Sequence, residues 1–304
     1  MTEPLTPPSP EQRAREWWRT AVIDMSPGVI RYRGYAVEDL IRARVGYAQM
    51  VWLMTRGELP TPAQAGLLEA ALMAAVDHGP QAPSIAIARM AATCGVGLNG
   101  ALASGLNVLG DVHGGAGEQA LALYGQVAVR LDGGAPMDEA VREALAEQVR
   151  AHGKTIPGFG HRFHPVDPRT APLLERVDAA VAAGAVGGRF AAIGRAVEDA
   201  LAQGRRRRIP MNIDGATAVI YGELGFPPPL ARGLFCLSRA VGLLAHAWEQ
   251  MQQGERIKGP LPREWTWQHD GPPPREVPGQ GGVEGSAPAW APGRARDPDP
   301  QDIG

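Results

Sequence analysis

Apolar residues recur three and four positions apart in five stretches: TPAQAGLLEAALMAAVDHG (61–79), APSIAIARMAATCG (82–95), MDEAVREALAEQVRAHG (137–153), RFAAIGRAVEDALAQG (189–204) and LARGLFCLSRAVGLLAHAWEQMQQG (230–254). This spacing predicts helices, and the glycine closing each stretch predicts its end, because glycine takes the left-handed conformation of a helix C-terminus without a Cβ clash. The last stretch is apolar on most sides, which predicts a helix buried among others. The best strand signal is GVIRYRGY (28–35), which lacks a parallel partner. The pattern predicts a mainly α fold with many glycine-terminated helices and no repeat of fixed period.

Composition narrows the function classes. The chain has 304 residues, 44% of them hydrophobic, enough for one large or two modest units with a sizeable core. A formal net charge of -2 and a pI near 6.4 provide no global basic field, so no nucleic-acid partner is expected and any anion site must be local. Cys94 and Cys236 are far apart with no CxxC partner, which argues against a disulfide framework or zinc knuckle. The N-terminal segment lacks the order of a signal peptide, and no run of about 18 uncharged apolar residues is evident. A cytoplasmic protein without a membrane partner is expected. Residues 267–304 are dominated by Pro, Gly and charge and are expected to be a disordered tail.

Polar residues interrupt the apolar pattern at four places: VDHGPQ with His78, GDVHGGAGEQ with His113, GFGHRFHPVDPR with His161, His164 and Arg169, and RRRRIPMNIDGA with Asp214. In the first three, glycine sits beside a histidine, which permits close backbone approach and exposes the imidazole at a loop or helix end. A satisfied core or surface histidine is the alternative for each. The run Arg205–Arg208 is either solvated surface or a phosphate-holding segment. There is no HExxH, no Asp-rich calcium loop, no complete GxGxxG and no GxSxG, so no metal is expected. What remains is an acid-base site of His and Asp beside arginines, suited to an anionic substrate.

His113-Gly114-Gly115, GFGHR ending in His161-Arg162, DPR ending in Arg169, NID ending in Asp214, and SRAVGLLAHAWEQ with Arg239 and His246 occur in the order seen in the citrate synthase superfamily. With RYRGYAVEDL and TRGELPT upstream, the chain resembles that family over roughly residues 20 to 265. Thr61 and His78 are only 17 positions apart, whereas full-length citrate synthases place several helices there. That shortening, with DHGP, SGLNVLGD and NIDGA, resembles the citryl-CoA lyase module at the C-terminal end of ATP-citrate lyase. His113 points toward the synthases, since that module carries a non-histidine residue there.

The resemblance implies a citrate synthase-like fold: a large helical domain (17–114 and 226–266), a small domain (115–225) and the active site in the cleft. It implies a citryl-CoA lyase that cleaves citryl-CoA to acetyl-CoA and oxaloacetate. The alternatives are a citrate or 2-methylcitrate synthase, or a non-catalytic protein that binds CoA or carboxylates. Carried over by motif, Asp214 moves the proton at the acetyl carbon, His113 donates to the enolate oxygen, and His161 exchanges a proton with the substrate hydroxyl or carbonyl. His78, Arg162, Arg169 and Arg239 are the carboxylate-binding candidates, and Arg205, Arg207 and Arg208 the CoA-phosphate candidates. The CoA thioester is substrate, with no tightly bound cofactor. The family forms homodimers in which one basic residue reaches the neighbouring site, here Arg256 or Lys258.

Overall fold

The computed structural model describes residues 9–204, 208–262 and 264–275. The short helix α1 (Pro10–Trp17) precedes an antiparallel sheet of β1 (Ile23–Ser26), β2 (Val29–Tyr32) and β3 (Tyr35–Ala36), in that order. GVIRYRGY supplies β2 and β3. Asp24 of β1 lies opposite Arg31 of β2 and pairs with it at 3.3 Å, which helps to set the register.

Helices make up the rest: α2 (Val37–Arg42), α3 (Tyr47–Arg56), α4 (Pro62–Ala74), α5 (Pro83–Thr93), α6 (Leu98–Asn107), α7 (Ala116–Asp132), α8 (Met137–His152), α9 (Thr170–Ala182), α10 (Arg189–Ala202), α11 (Ile213–Glu223) and α12 (Pro228–Gln253). All five stretches with helical spacing are helices, namely α4, α5, α8, α10 and α12. α4 starts where Thr61 and Gln64 form a reciprocal capping box ahead of Pro62. α12 stops at Gly254, which adopts φ +74°.

Two packing centres position the site. In the first, α11 is buried on nearly every side, from Ile213 through Gly222, against α7, α10, α9 and α4. In the second, α12 packs on α5, α6, α7 and α4. Gly242 of α12 faces the Val76 carbonyl so closely that a Cβ would collide with it, which draws the α4–α5 connection onto α12.

By length and apolarity alone α12 could cross a bilayer, although Arg232, Arg239 and Glu249 interrupt its apolar run. It carries buried Arg239 and Gln250, however, and Ala231, Leu234, Leu243 and Ala247 of the same helix are buried with them, as in the central helix of a folded unit. The described residues up to Pro260 form one compact unit, and those from Leu261 to Arg275 belong to another. Most of the expected tail, 276–304, lies outside the described residues. Cys94 and Cys236 are free thiols.

Candidate active site

Asp214 occupies the second position of α11, where Asn212 caps the helix by accepting the Asp214 N–H at 2.9 Å and the Gly215 N–H at 3.3 Å. The cap also ties this helix start to the histidine loop. Asn212 Nδ2 donates to the Gly160 carbonyl at 2.6 Å, the Asn212 N–H donates to Gly158 at 3.0 Å, and the Gly160 N–H donates to Pro210 at 2.8 Å. Gly158 (φ +85°) and Gly215 touch backbone to backbone, and a Cβ on Gly215 would collide with the Gly158 carbonyl and the Met211 side chain. Only glycine allows the GFGHR loop and the NID turn to approach this closely.

A further tie comes from Asp167, which the sequence did not single out although it precedes the expected Arg169. Its side chain is shut off from solvent and accepts Arg169 Nε at 2.9 Å, Arg169 Nη2 at 2.8 Å and the Ile213 N–H at 3.0 Å. Burial alone would raise its pKa, but these donors outweigh it and hold the carboxyl at about 2. Arg169 is therefore bidentate to Asp167, and its Nη1 also donates to the Ala74 carbonyl at 3.3 Å.

His113 sits in the loop between α6 and α7. Arg232 holds that loop through Asp111 at 2.5 Å, and it also pairs with Glu118 of α7. His113 Nε2 accepts the Ser84 N–H at 3.2 Å and lies 3.0 Å from Ser84 Oγ. Arg239 Nη1 reaches the same hydroxyl at 3.5 Å, and because arginine only donates, the hydroxyl hydrogen is free to turn toward His113. With Nε2 an acceptor, neutral His113 carries its proton on Nδ1. Burial, and then Arg239, lower its pKa and favour the neutral ring. Ser84, fully buried at the start of α5, is a second positioning residue that the sequence did not signal.

His161 Nδ1 accepts the N–H groups of Phe163 and His164 at 3.0 and 3.1 Å, so neutral His161 has its proton on Nε2. His78, from the α4–α5 connection, lies 5.1 Å from the His161 ring and 6.2 Å from the His164 ring, with His161 and His164 at 4.6 Å. Burial is the main cause lowering the pKa of both His78 and His161. Among lesser influences Arg169 and Arg239 lower His78 further, while Asp167 opposes the fall at His161. His164, which the family resemblance leaves without a role, belongs to this cluster. HRFH is a His-x-x-His pair that the expectation of no metal passed over.

Buried Arg239 (5% exposed) donates Nε to the Ala75 carbonyl at 3.3 Å and stacks 5.1 Å over Phe235. Electrostatics make these groups one constellation: Arg239 acts on His78, His113 and Asp214, and Arg169 acts on His78, His161 and Asp214. Burial dominates at Asp214 and raises its pKa despite both arginines. Asp77, beside His78, accepts the Gly79 N–H at 3.1 Å with Oδ2 and meets His246 Nε2 at 3.2 Å with Oδ1.

The remaining sequence candidates lie farther out. Arg162 is exposed on the loop. Arg208 is exposed and, with His161, His164 and Ile209, lines a cavity of about 370 Å³. Arg205 and Arg207 lie outside the described residues. Lys258 pairs with Glu255 on its own segment, and its N–H donates to Thr93 Oγ1 at 3.0 Å.

Comparison with known proteins matches this arrangement to one family. The model of the citrate synthase C-terminal domain matches residues 60–260. The structure of citryl-CoA lyase from Hydrogenobacter thermophilus aligns at TM-score 0.75 and 32% identity, covering 86% of this chain and 97% of that one. ATP citrate lyase from Methanothrix soehngenii, solved in complex with citrate and coenzyme A, aligns at TM-score 0.70 over 89% of this chain and 46% of its own, and at 21% identity the likeness is one of fold. The citrate synthase of Haloferax volcanii is 28% identical over 67% of this chain, which spans about half (52%) of that relative's length. The matched stretch includes every histidine, arginine and aspartate of the constellation described above, and the chain belongs to the citrate synthase family.

Proposed function

We propose that the protein is a citryl-CoA lyase, cleaving citryl-CoA to acetyl-CoA and oxaloacetate. The observation that carries this is the likeness to a citryl-CoA lyase together with the site. The chain aligns with 97% of that lyase at TM-score 0.75, the span from Thr61 to His78 is short within the chain itself, and two imidazoles and a carboxylate are kept. In cleavage, the carbon–carbon bond beside the carbinol carbon breaks and its electron pair passes into the thioester as an enolate. The hydroxyl proton leaves to His161, and the former carbinol carbon becomes the ketone of oxaloacetate.

His113 Nδ1–H donates to the enolate oxygen as charge develops there. Asp214, whose raised pKa favours the protonated acid, delivers a proton to the enolate carbon and so yields acetyl-CoA. The tautomer of His161 with its proton on Nε2 is the donor form suited to the oxaloacetate carbonyl. Cleavage begins from the neutral tautomer protonated on Nδ1, in which the two backbone contacts at Nδ1 are released and Nε2 is free to take the hydroxyl proton. Solvent then resets the two groups, with one proton leaving His161 and one returning to Asp214. His78, Arg169 and Arg239 bind the carboxylates, with Arg162 at the edge. Arg205, Arg207 and Arg208 bind the CoA phosphates. The chain would divide about this cleft into a large and a small helical domain.

The proposal includes a homodimer. Leu237, Val241, Leu244, Trp248 and Met251 follow a four-three spacing along α12 and are 42–58% exposed, which forms an apolar seam suited to a second copy.

A coupled assay tests the chemistry. Citryl-CoA supplied to the protein yields oxaloacetate, read as NADH oxidation by malate dehydrogenase, while acetyl-CoA plus oxaloacetate releases no thiol. Thiol release dependent on oxaloacetate would make the protein a synthase, the reading favoured by its likeness to citrate synthases in sequence. A synthase must also hydrolyse the citryl thioester.

A further inference from the structure

We propose that His78, His161 and His164 bind one divalent transition-metal ion, Zn²⁺ in the first instance, at the substrate cleft. The three rings come from two loops: His161 and His164 are a His-x-x-His pair on one, and His78 approaches from the other. One ring nitrogen from each lies within 4.8 Å of the other two. Around a tetrahedral Zn²⁺ with Zn–N of about 2.0–2.1 Å, ligand nitrogens stand roughly 3.4 Å apart. Closing the cluster thus needs movements of about 1.5 Å or less, within reach of side-chain rotation in segments that belong to no helix or strand. The cavity of about 370 Å³ beside His161 and His164 leaves a fourth position open to water or an anion.

Arg169 is paired bidentately with Asp167, which offsets part of the repulsion that it and Arg239 exert on positive charge at His78. A ligand set of imidazoles alone favours Zn²⁺, Co²⁺, Ni²⁺ or Cu²⁺ over Mg²⁺ and Ca²⁺, which demand oxygen. Because His161 Nδ1 faces two backbone N–H groups, its free nitrogen is Nε2, and ligation there as a neutral imidazole moves the ring proton to Nδ1 and releases those two contacts. A metal held this way removes His78 from carboxylate binding and His161 from proton exchange, so metal and substrate exclude each other. This inhibitory consequence rests on the proposed function; the binding itself does not.

The test uses the full chain, untagged and stripped of metal. Co²⁺ titration should give the visible absorption of a four-coordinate ion saturating at one equivalent, and Zn²⁺ titration calorimetry should give the same stoichiometry. His164→Ala should weaken both by more than about tenfold, whereas His152→Ala, on the exposed face of α8, should change neither. No saturable Co²⁺ band, or equal affinity in His164→Ala, overturns the site. In the citryl-CoA assay, Zn²⁺ should inhibit competitively, and His164→Ala should stay active while escaping inhibition. Metal binding without inhibition overturns the competition alone. Because the binding measurements need no turnover, failure of the site and failure of the proposed activity are distinguishable.

Discussion

Asp167→Asn separates the ion pair that joins Arg169 to the start of α11 while keeping an acceptor for the Ile213 N–H. Lowering the carboxyl from 3.8 to about 2 on folding corresponds to about 2 kcal/mol of native-state stability near neutral pH. This falls below the roughly 3–5 kcal/mol for breaking a fully buried pair. Arg169 explains the difference, since its side chain keeps 23% exposure and water can solvate part of the freed guanidinium. The sign follows from the depressed pKa: the stabilisation is complete well above 3.8 and is lost as pH falls toward 2. Guanidinium denaturation of the wild type and the variant at several pH values should therefore show a gap that shrinks with acid. The gap should be about 2 kcal/mol at pH 7, nearly the same at pH 4, and roughly half as large at pH 3. A gap below about 0.5 kcal/mol at pH 7, or one that does not change with pH, would refute the reasoning.

Gly215→Ala should destabilise by more than about 3 kcal/mol or prevent folding, read from denaturation midpoints, because its Cβ has no space against the Gly158 backbone. Ser84→Ala removes one of two hydrogen-bond partners of His113 Nε2, so kcat/KM for citryl-CoA should fall about tenfold, mostly in kcat, and an unchanged kcat would remove Ser84 from the positioning of His113. Val241→Glu, in the middle of the α12 seam, should give monomers in analytical ultracentrifugation, and a dimer of undiminished stability would refute the seam as the interface. Replacing Arg205, Arg207 and Arg208 together with Ala should raise the KM for the CoA substrate far more than it lowers kcat, and an unchanged KM would sink the phosphate role.

Much of the fold was legible because α4, α5, α8, α10 and α12 carry uninterrupted helical spacing and glycine stops. Two helices that build the site, α7 and α11, escaped. α11, IDGATAVIYGE, is rich in β-branched residues and glycine, so its intrinsic preference points away from a helix. It is helical because it is buried nearly all round, where packing overrides propensity, with Gly215 against the Gly158 backbone and Gly222 against the Phe190 ring. α7 begins immediately after the glycine pair that ends the His113 loop, and its buried stripe, Gly117, Ala120, Leu121, Tyr124, Val127 and Ala128, has helical spacing but opens on glycine and alanine. Small residues at contact points leave a weak periodic signal and a tightly packed helix.

The site follows the same division. His78, His113, His161, Arg169, Asp214 and Arg239 stood out as polar interruptions or matched family motifs, and a single electrostatic constellation unites them. Ser84, Asp167 and Asn212 did not stand out, because each acts through a partner 29 to 52 residues away or through a cap, and a linear pattern encodes neither. Asp167 shows why this matters for chemistry. Without the carboxylate, Arg169 would lose both of its side-chain partners on that residue and α11 would lose the acceptor for its first N–H. Arg169 and Asp214, the proposed carboxylate ligand and the proposed acid, are thus held in register by one buried charge, and a change there should move substrate affinity and turnover together.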